Sequence, residues 1–237
     1  MIRRPPRSTQ SRSSAASDVY KRQLIYNSIR GAIFSTIFAT FIALPLSYVL
    51  VFKKFKGKSL IEFITILPLG LPPVITGYIL LIIFSPNYLI GSIIYNVTGN
   101  TIAFTWIAGS IAASVVSFPL IIRSFQLGFS SVDKNIIYAA ESLGMSKLLI
   151  FTKIILPIAK RGIYAGLLIC FARSISEFGA TIVVAGNMPG STENLSTSIY
   201  SSIASLDTSS ILRLSSYSAI LAILSISIHN YLLSKLK

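Results

Sequence analysis

Apolar residues run in five long blocks along this chain, at about 31–52, 60–85, 102–122, 162–185 and 211–233, with shorter polar segments between them. A helix needs roughly 20 residues to cross about 30 Å of hydrocarbon. Each block is long enough, and the pattern predicts an all-α integral membrane protein with about five transmembrane helices. The second block is interrupted by Pro68, Gly70, Pro72, Pro73 and Gly77. Each proline removes a backbone donor, so this helix is expected to bend or break. Freed carbonyls are tolerated at that depth only when buried in protein or facing a wet cavity. Pro72, Pro73 and Gly77 are therefore assigned to a translocation path, ahead of the plainer reading that Pro and Gly are simply common in membrane helices. In the third block Gly109/Ala113 and Ser110/Ser114 place small residues four apart, as close helix packing requires.

Composition agrees with lipid as the main solvent: 53% of the 237 residues are hydrophobic, 12% are charged, and the mean hydropathy is +0.73. Cys170 is the one cysteine and His229 the one histidine. A disulfide within the chain, a multi-cysteine metal centre and a histidine-pair zinc site are thereby excluded, and no metal site is expected.

The net charge of +14 changes the picture through its placement. Lys53, Lys54, Lys56 and Lys58 follow the first block. Arg123, Lys134, Lys147, Lys153, Lys160 and Arg161 lie between the third and fourth, and Lys235 and Lys237 end the chain. The loop at 86–101 has no charge, and the loop after the fourth block has only Glu193 and Asp207. Basic and non-basic loops alternate, which marks membrane orientation rather than a groove for nucleic acid. The C-terminus is expected in the cytoplasm and the N-terminus outside. Residues 1–23 break the rule, with six basic residues against Asp18. This Ser/Arg-rich stretch resembles translated sequencing-adapter sequence. It is read as a non-native or disordered basic tail, with the transmembrane domain occupying 24–237.

The segment from Arg123 to Arg161 has its own pattern. Asp133 can cap a short helix that Gly144 would end, and Ile136, Ala139, Ala140 and Leu143 share one narrow face. Ser146 can cap a second helix, which should lie at the membrane interface until Pro157 bends the chain into the fourth span. Spacing alone leaves two readings open, a docking surface for another protein or a solvated connector.

Arg173 and Glu177 are read as the ionisable residues deep within a span. They lie four apart, so they can pair on one helix face. A gate, or the support of one, and a self-neutralising packing pair at a dimer interface both remain open. A lone arginine would hold a transported dianion too tightly; one balanced by Glu177 would not.

Ala139-Ala140, Gly144, Ile154, Leu156 and Pro157 together resemble the EAA loop of bacterial ABC importer permeases. Tyr138 stands where that family has glutamate, and Glu141 lies one turn on. The resemblance implies a type I importer permease fold in which this loop docks on a cytoplasmic ATPase. A narrower resemblance, to molybdate-importer permeases, covers nearly everything after residue 24. It is carried by Leu71-Pro72-Pro73-Val74, Gly77-Tyr78, Phe104-Thr105-Trp106, Phe118-Pro119-Leu120, Ser131-Val132-Asp133, Phe171-Ala172-Arg173, Ser176-Glu177-Phe178-Gly179-Ala180-Thr181, Ala185-Gly186-Asn187, Pro189-Gly190 and Ile199-Tyr200. It adds Gly179 and Thr181 to the candidate path. It also implies a homodimer in a bacterial inner membrane, two ATPase subunits and an extracytoplasmic solute-binding protein that delivers molybdate, with tungstate, sulfate or thiosulfate as alternatives.

No phosphate-binding loop is present. Gly57-Lys58-Ser59 has the tail of one, but Phe52 occupies the first glycine position. ATP and Mg²⁺ are thus expected on the separate ATPase, with no cofactor on this chain and no catalytic role for it. A membrane enzyme would need a catalytic group set that the spans lack. A secondary transporter would be expected to show internal repeats and paired broken helices; only one broken helix is predicted.

Overall fold

The computed structural model describes residues 7–235; the side chains of residues 7–18, 229, 232 and 235 lie outside that description. The readings of the basic tail before Val19, of His229 and of Lys235 and Lys237 therefore fall outside the described residues or side chains.

The first helix, α1, runs over Arg7–Phe52. Its buried stripe is Leu24, Ser28, Ala32, Ser35, Ala39, Ala43, Ser47 and Leu50, almost all small residues three or four apart. Small side chains let helix backbones approach without a hydrophobic driving force between them. The hydroxyls on this helix satisfy themselves locally: Ser28, Thr36, Thr40 and Ser47 each donate to the carbonyl four residues back. That keeps polar side chains compatible with a dry environment.

Helix α2 (Lys58–Gly70) and helix α3 (Pro73–Phe84) are the predicted broken span, and the chain turns by 115° between them. Leu71 is extended because a proline follows it, and Pro72 (φ −53°, ψ 131°) continues that extension before Pro73 opens α3. A short helix α4 (Leu89–Thr98) occupies the predicted uncharged loop.

Helix α5 (Trp106–Ser130) is the centre of the fold, packed against α1, α2 and two later helices. It runs parallel to α1: Phe34 meets Trp106 near the start of α5, and Tyr48 meets Phe129 near its end. The chain between them must therefore return across the bundle, and α2, α3 and α4 carry it back. After α6 (Lys134–Ser142), α7 (Lys147–Ile150) passes through a π turn at Phe151–Ile155 into α8 (Leu156–Ile175). Pro157 was expected to bend the chain here. Instead Lys147–Ile175 forms one continuous apolar helix, because the wider turn just before Pro157 gives room where the ring would clash with a carbonyl.

Helix α8 lies antiparallel to α1 and α5. Gly128 and Gly162 bring α5 and α8 into backbone contact. Ser174 joins three helices, with its hydroxyl 2.8 Å from that of Ser35 and 3.0 Å from that of Ser117.

The predicted fourth span, 162–185, is not one helix. It ends at Ile175 and resumes as α9 (Gly179–Ala185). Among the described residues there are thus two broken helices where one was expected. Helix α10 (Leu195–Ala204) follows in the predicted loop, closed at its start by a reciprocal Asn194–Thr197 capping box, and α11 (Thr208–Lys235) ends the described chain. Among the described residues four helices are long and apolar enough to cross a membrane, or five with the broken pair counted as one span.

Candidate translocation path and coupling segment

The candidate path residues come together where α3, α9 and α5 meet. A Cβ on Gly77 would lie 2.6 Å from the carbonyl oxygen of Ala180 and 2.9 Å from its Cα. One on Gly179 would lie 3.1 Å from Cβ of Pro73. Across α9, a Cβ on Gly109 would lie 3.0 Å from Cγ2 of Thr181, whose hydroxyl donates to the Gly109 carbonyl at 3.5 Å. Pro73, Gly77, Gly179 and Thr181 are therefore packing residues of one close seam, and Pro72 makes the turn that brings α3 onto it.

Arg173 and Glu177 form the expected ion pair, at 2.8 Å, but not on one helix. Glu177 lies in the break between α8 and α9. Its Oε2 faces the Arg173 guanidinium, and its Oε1 accepts the backbone N–H of Ala180 at 2.9 Å. Glu177 is 2% exposed, whereas the Arg173 side chain is 33% exposed. Both carboxylate oxygens are thus committed to holding the break together. Helix α9 begins where a buried negative charge meets otherwise unsatisfied N–H groups, an arrangement that suits both partners.

Arg30 was missed. The first span was expected to start at residue 31, one position after it, yet α1 is helical well before that point. The Arg30 guanidinium lies 4.0 Å from the centroid of the Trp106 ring and 5.3 Å from that of Tyr26. The run Leu24-Ile25 ahead of Arg30 was the available signal, since it extends the apolar block past the arginine. Trp106 also walls a small, mostly apolar cavity of about 30 Å³ whose lining includes the polar side chains of Asn27, Ser110, Ser174, Thr192 and Asn194. On the far side of Asn27 the chain is tied down: its amide donates to the Glu193 carbonyl at 2.9 Å, the Tyr20 hydroxyl donates to the Glu193 carboxylate at 2.8 Å, and the Gln23 amide donates to the Gly190 carbonyl at 2.7 Å.

At the opposite end lies the coupling segment. The Asp133 carboxylate accepts the Asn135 N–H at 2.9 Å and starts α6. Gly144, at φ 80°, closes it, with Gly144 N–H donating to Glu141 C=O and Met145 N–H to Ala140 C=O. The face differs from the expected one. Ala140 is 5% exposed and packs into the chain's own core, while Leu143 is 83% exposed and Ile136, Tyr138, Ala139 and Glu141 are also open. Docking α6 on its own bundle requires one inward position, and with Val132 and Ile137 nearby, Ala140 supplies it. Ile154 and Leu156 are partly buried against the same core, and Pro157 is exposed in the first turn of α8. Beside α6, Tyr138 and Glu141 line a depression of about 480 Å³ with Lys53, Lys54, Lys58 and Lys134.

Broken and continuous apolar helices long enough to cross a membrane mark a multi-pass membrane protein, and comparison with known proteins gives its class. Residues 35–236 match the family described as binding-protein-dependent transport system inner membrane component, and the chain belongs to that family. It is 38% identical over 176 residues to the molybdenum transport system permease protein ModB of Haemophilus influenzae, covering 74% of this chain and 77% of that one. It is 37% identical over 164 residues to the molybdate/tungstate transport system permease protein WtpB of Pyrococcus abyssi, covering 69% and 60%. In fold it resembles a chain of the inward-facing MetNI methionine ABC transporter, with a TM-score of 0.71 at 15% identity over 90% of this chain and 94% of that one. The protein is thus an importer permease subunit, not an enzyme. Pairing of broken helices was the feature reserved for a secondary transporter, but family membership decides against that class.

Proposed function

We propose that this chain carries molybdate across a bacterial inner membrane as one half of a homodimer, with the α6 end in the cytoplasm and the Arg30 end outside. Its ATPase subunits hold ATP and Mg²⁺, and a solute-binding protein delivers the anion at the Arg30 end. The observation that carries the substrate is the 38% identity to a molybdenum permease spread over three quarters of both chains. Tungstate is the second reading, favoured by the likeness to a molybdate/tungstate permease.

The geometry supports a division of labour. The two breaks, at Pro72 and at Ser176–Phe178, are places where backbone direction changes without a continuous hydrogen-bond ladder. They are natural hinges. Between them lies a seam of small residues that can shift against one another, since few interlocking side chains oppose sliding. Helix α6 sits between α5 and the Lys147–Ile175 helix, so a push on its exposed face reaches both. In this reading Arg173 and Glu177 support the gate and do not line it.

The test is reconstitution of the chain with its ATPase and binding protein in liposomes. ATP-dependent uptake of molybdate, half-saturating below tungstate and sulfate, is the expected result. Preferential sulfate uptake would overturn the substrate. Uptake driven by an ion gradient without the ATPase would overturn the class.

A further inference from the structure

Arg30 has no place in the scheme above, yet it is the feature of α1 hardest to explain as packing. Among the described residues its N–H groups donate to no protein acceptor, and its Nε is buried without a partner. Three other arginines within or near the spans have side-chain or backbone acceptors: Arg123 in Gln126, Arg173 in Glu177 and Arg213 in Ser209. A guanidinium held 4.0 Å from the centroid of an indole is kept in place by the ring, while its terminal N–H groups remain available for a bidentate acceptor. Among the described residues no carboxylate is ion-paired with it. Glu193, between the cavity-lining Thr192 and Asn194, accepts from Tyr20 with one carboxylate oxygen and keeps the other buried without a partner, while Asn27 donates to its backbone carbonyl. Behind the shared Trp106 ring, the small cavity sets the neutral side chains of Asn27, Ser110, Thr192 and Asn194 among apolar ones such as Ala32, Ala113 and Ile175.

We propose that Arg30, presented by Trp106, is the receiving site for a tetrahedral oxyanion entering the path, with Asn27, Ser110, Thr192 and Asn194 as the neutral polar groups it meets next. This rests on the reading of the chain as an oxyanion importer. One charge-assisted fork is enough to capture a dianion released by a binding protein, and neutral polar groups behind it, exchanging their backbone acceptors for the anion, let it move on. The same fork could take the phosphate of a lipid headgroup. The cavity sharing Trp106 favours the free anion, because a lipid phosphate would have no use for the polar side chains of Asn27, Ser110, Thr192 and Asn194 inside the bundle.

Trp106 is the single tryptophan of the chain, so its fluorescence reports on this site alone. The full chain in phosphate-free maltoside micelles, titrated with molybdate at constant ionic strength, should give a saturable change that sodium chloride does not. Arg30→Gln should weaken that response about tenfold or more, the effect of losing a charge-assisted hydrogen bond, and Arg30→Lys should fall between. An unchanged Trp106 signal on adding molybdate to the wild type would overturn the site even if no variant folds. A response only to added phosphatidylglycerol would assign Arg30 to lipid and overturn it equally. Uptake separates the two levels of inference. No ATP-driven oxyanion uptake by the wild-type complex defeats the importer reading. Wild-type uptake unaffected by Arg30→Gln, in rate and half-saturation, defeats the site alone.

Discussion

Gly77 and Gly144 are both in the candidate machinery, and they are glycine for opposite reasons. At Gly77 the backbone is ordinary helix, but any Cβ would meet the Ala180 backbone. At Gly144 nothing lies within 4 Å of the Cβ position, but φ is 80°, a conformation other residues enter only at a cost. The seam depends on missing atoms, and the coupling segment depends on a backbone turn that leaves its side chains free. A moving part inside the bundle is built by removing side-chain volume, and a docking part on its surface by exposing it. Substitutions at each place should therefore fail differently.

The largest effect is expected at the seam. Gly77→Val places three carbons against Ala180 and Val183, and overpacking of this kind costs about 3 kcal/mol where backbone must yield. Detergent melting temperature should fall and uptake should be lost. Retained uptake would mean the seam is not a working surface. Ala140→Glu comes next. On the expected outward face it would have disturbed only docking; on the observed inward face it also puts an unpaired carboxylate into the core, at about 2–3 kcal/mol. Melting and ATPase retention should both drop, and loss of docking alone would return Ala140 to the outer face.

Glu177→Gln is expected to cost about 2 kcal/mol, less than a fully buried pair because Arg173 is partly solvated. The amide oxygen of glutamine still accepts from Ala180, so the chain should insert and dock, while uptake falls. Normal uptake would remove the pair from the gate and its support. At the coupling end, Gly144→Ala should cost about 1 kcal/mol, with Gly144→Asn milder because asparagine tolerates the left-handed region. Equal losses for the two would show that space, not conformation, selects glycine there.

The difference between these places also explains what could be read from the sequence. Hydropathy marks the spans because lipid demands about 20 apolar residues in a row, and Pro72-Pro73 marks the first break because the missing donors are written in the residue type. The second break has no such mark. Ser176-Glu177-Phe178 would continue a helix in isolation, and it stops because Glu177 finds Arg173 and the Ala180 N–H in the folded chain. Helix α10 carried a legible signal in Asn194 and Thr197, three apart, hidden in a run of serines and threonines. The direction of Ala140 was not legible, since a nine-residue helix of small and mixed side chains offers two plausible inward faces. Arg30 was passed over because a charged residue is taken to end a span, whereas an arginine stacked on tryptophan does not.

The smallest effect on stability and the sharpest on function should meet at Leu143. Its side chain touches little of its own chain, being 83% exposed, so Leu143→Glu should leave the melting temperature unchanged to within about 0.5 kcal/mol, as for surface positions in general. The carboxylate would point from the exposed face of α6, beside Ile136 and Ala139, where an ATPase groove would have to desolvate it. Co-purified ATPase should fall severalfold while the chain stays folded and Trp106 still reports anion binding at the other end. Paired with Ala140→Glu, three residues away, this substitution divides the helix into its inner and outer faces. If Leu143→Glu destabilised the chain and Ala140→Glu did not, α6 would be docked on its bundle the other way round.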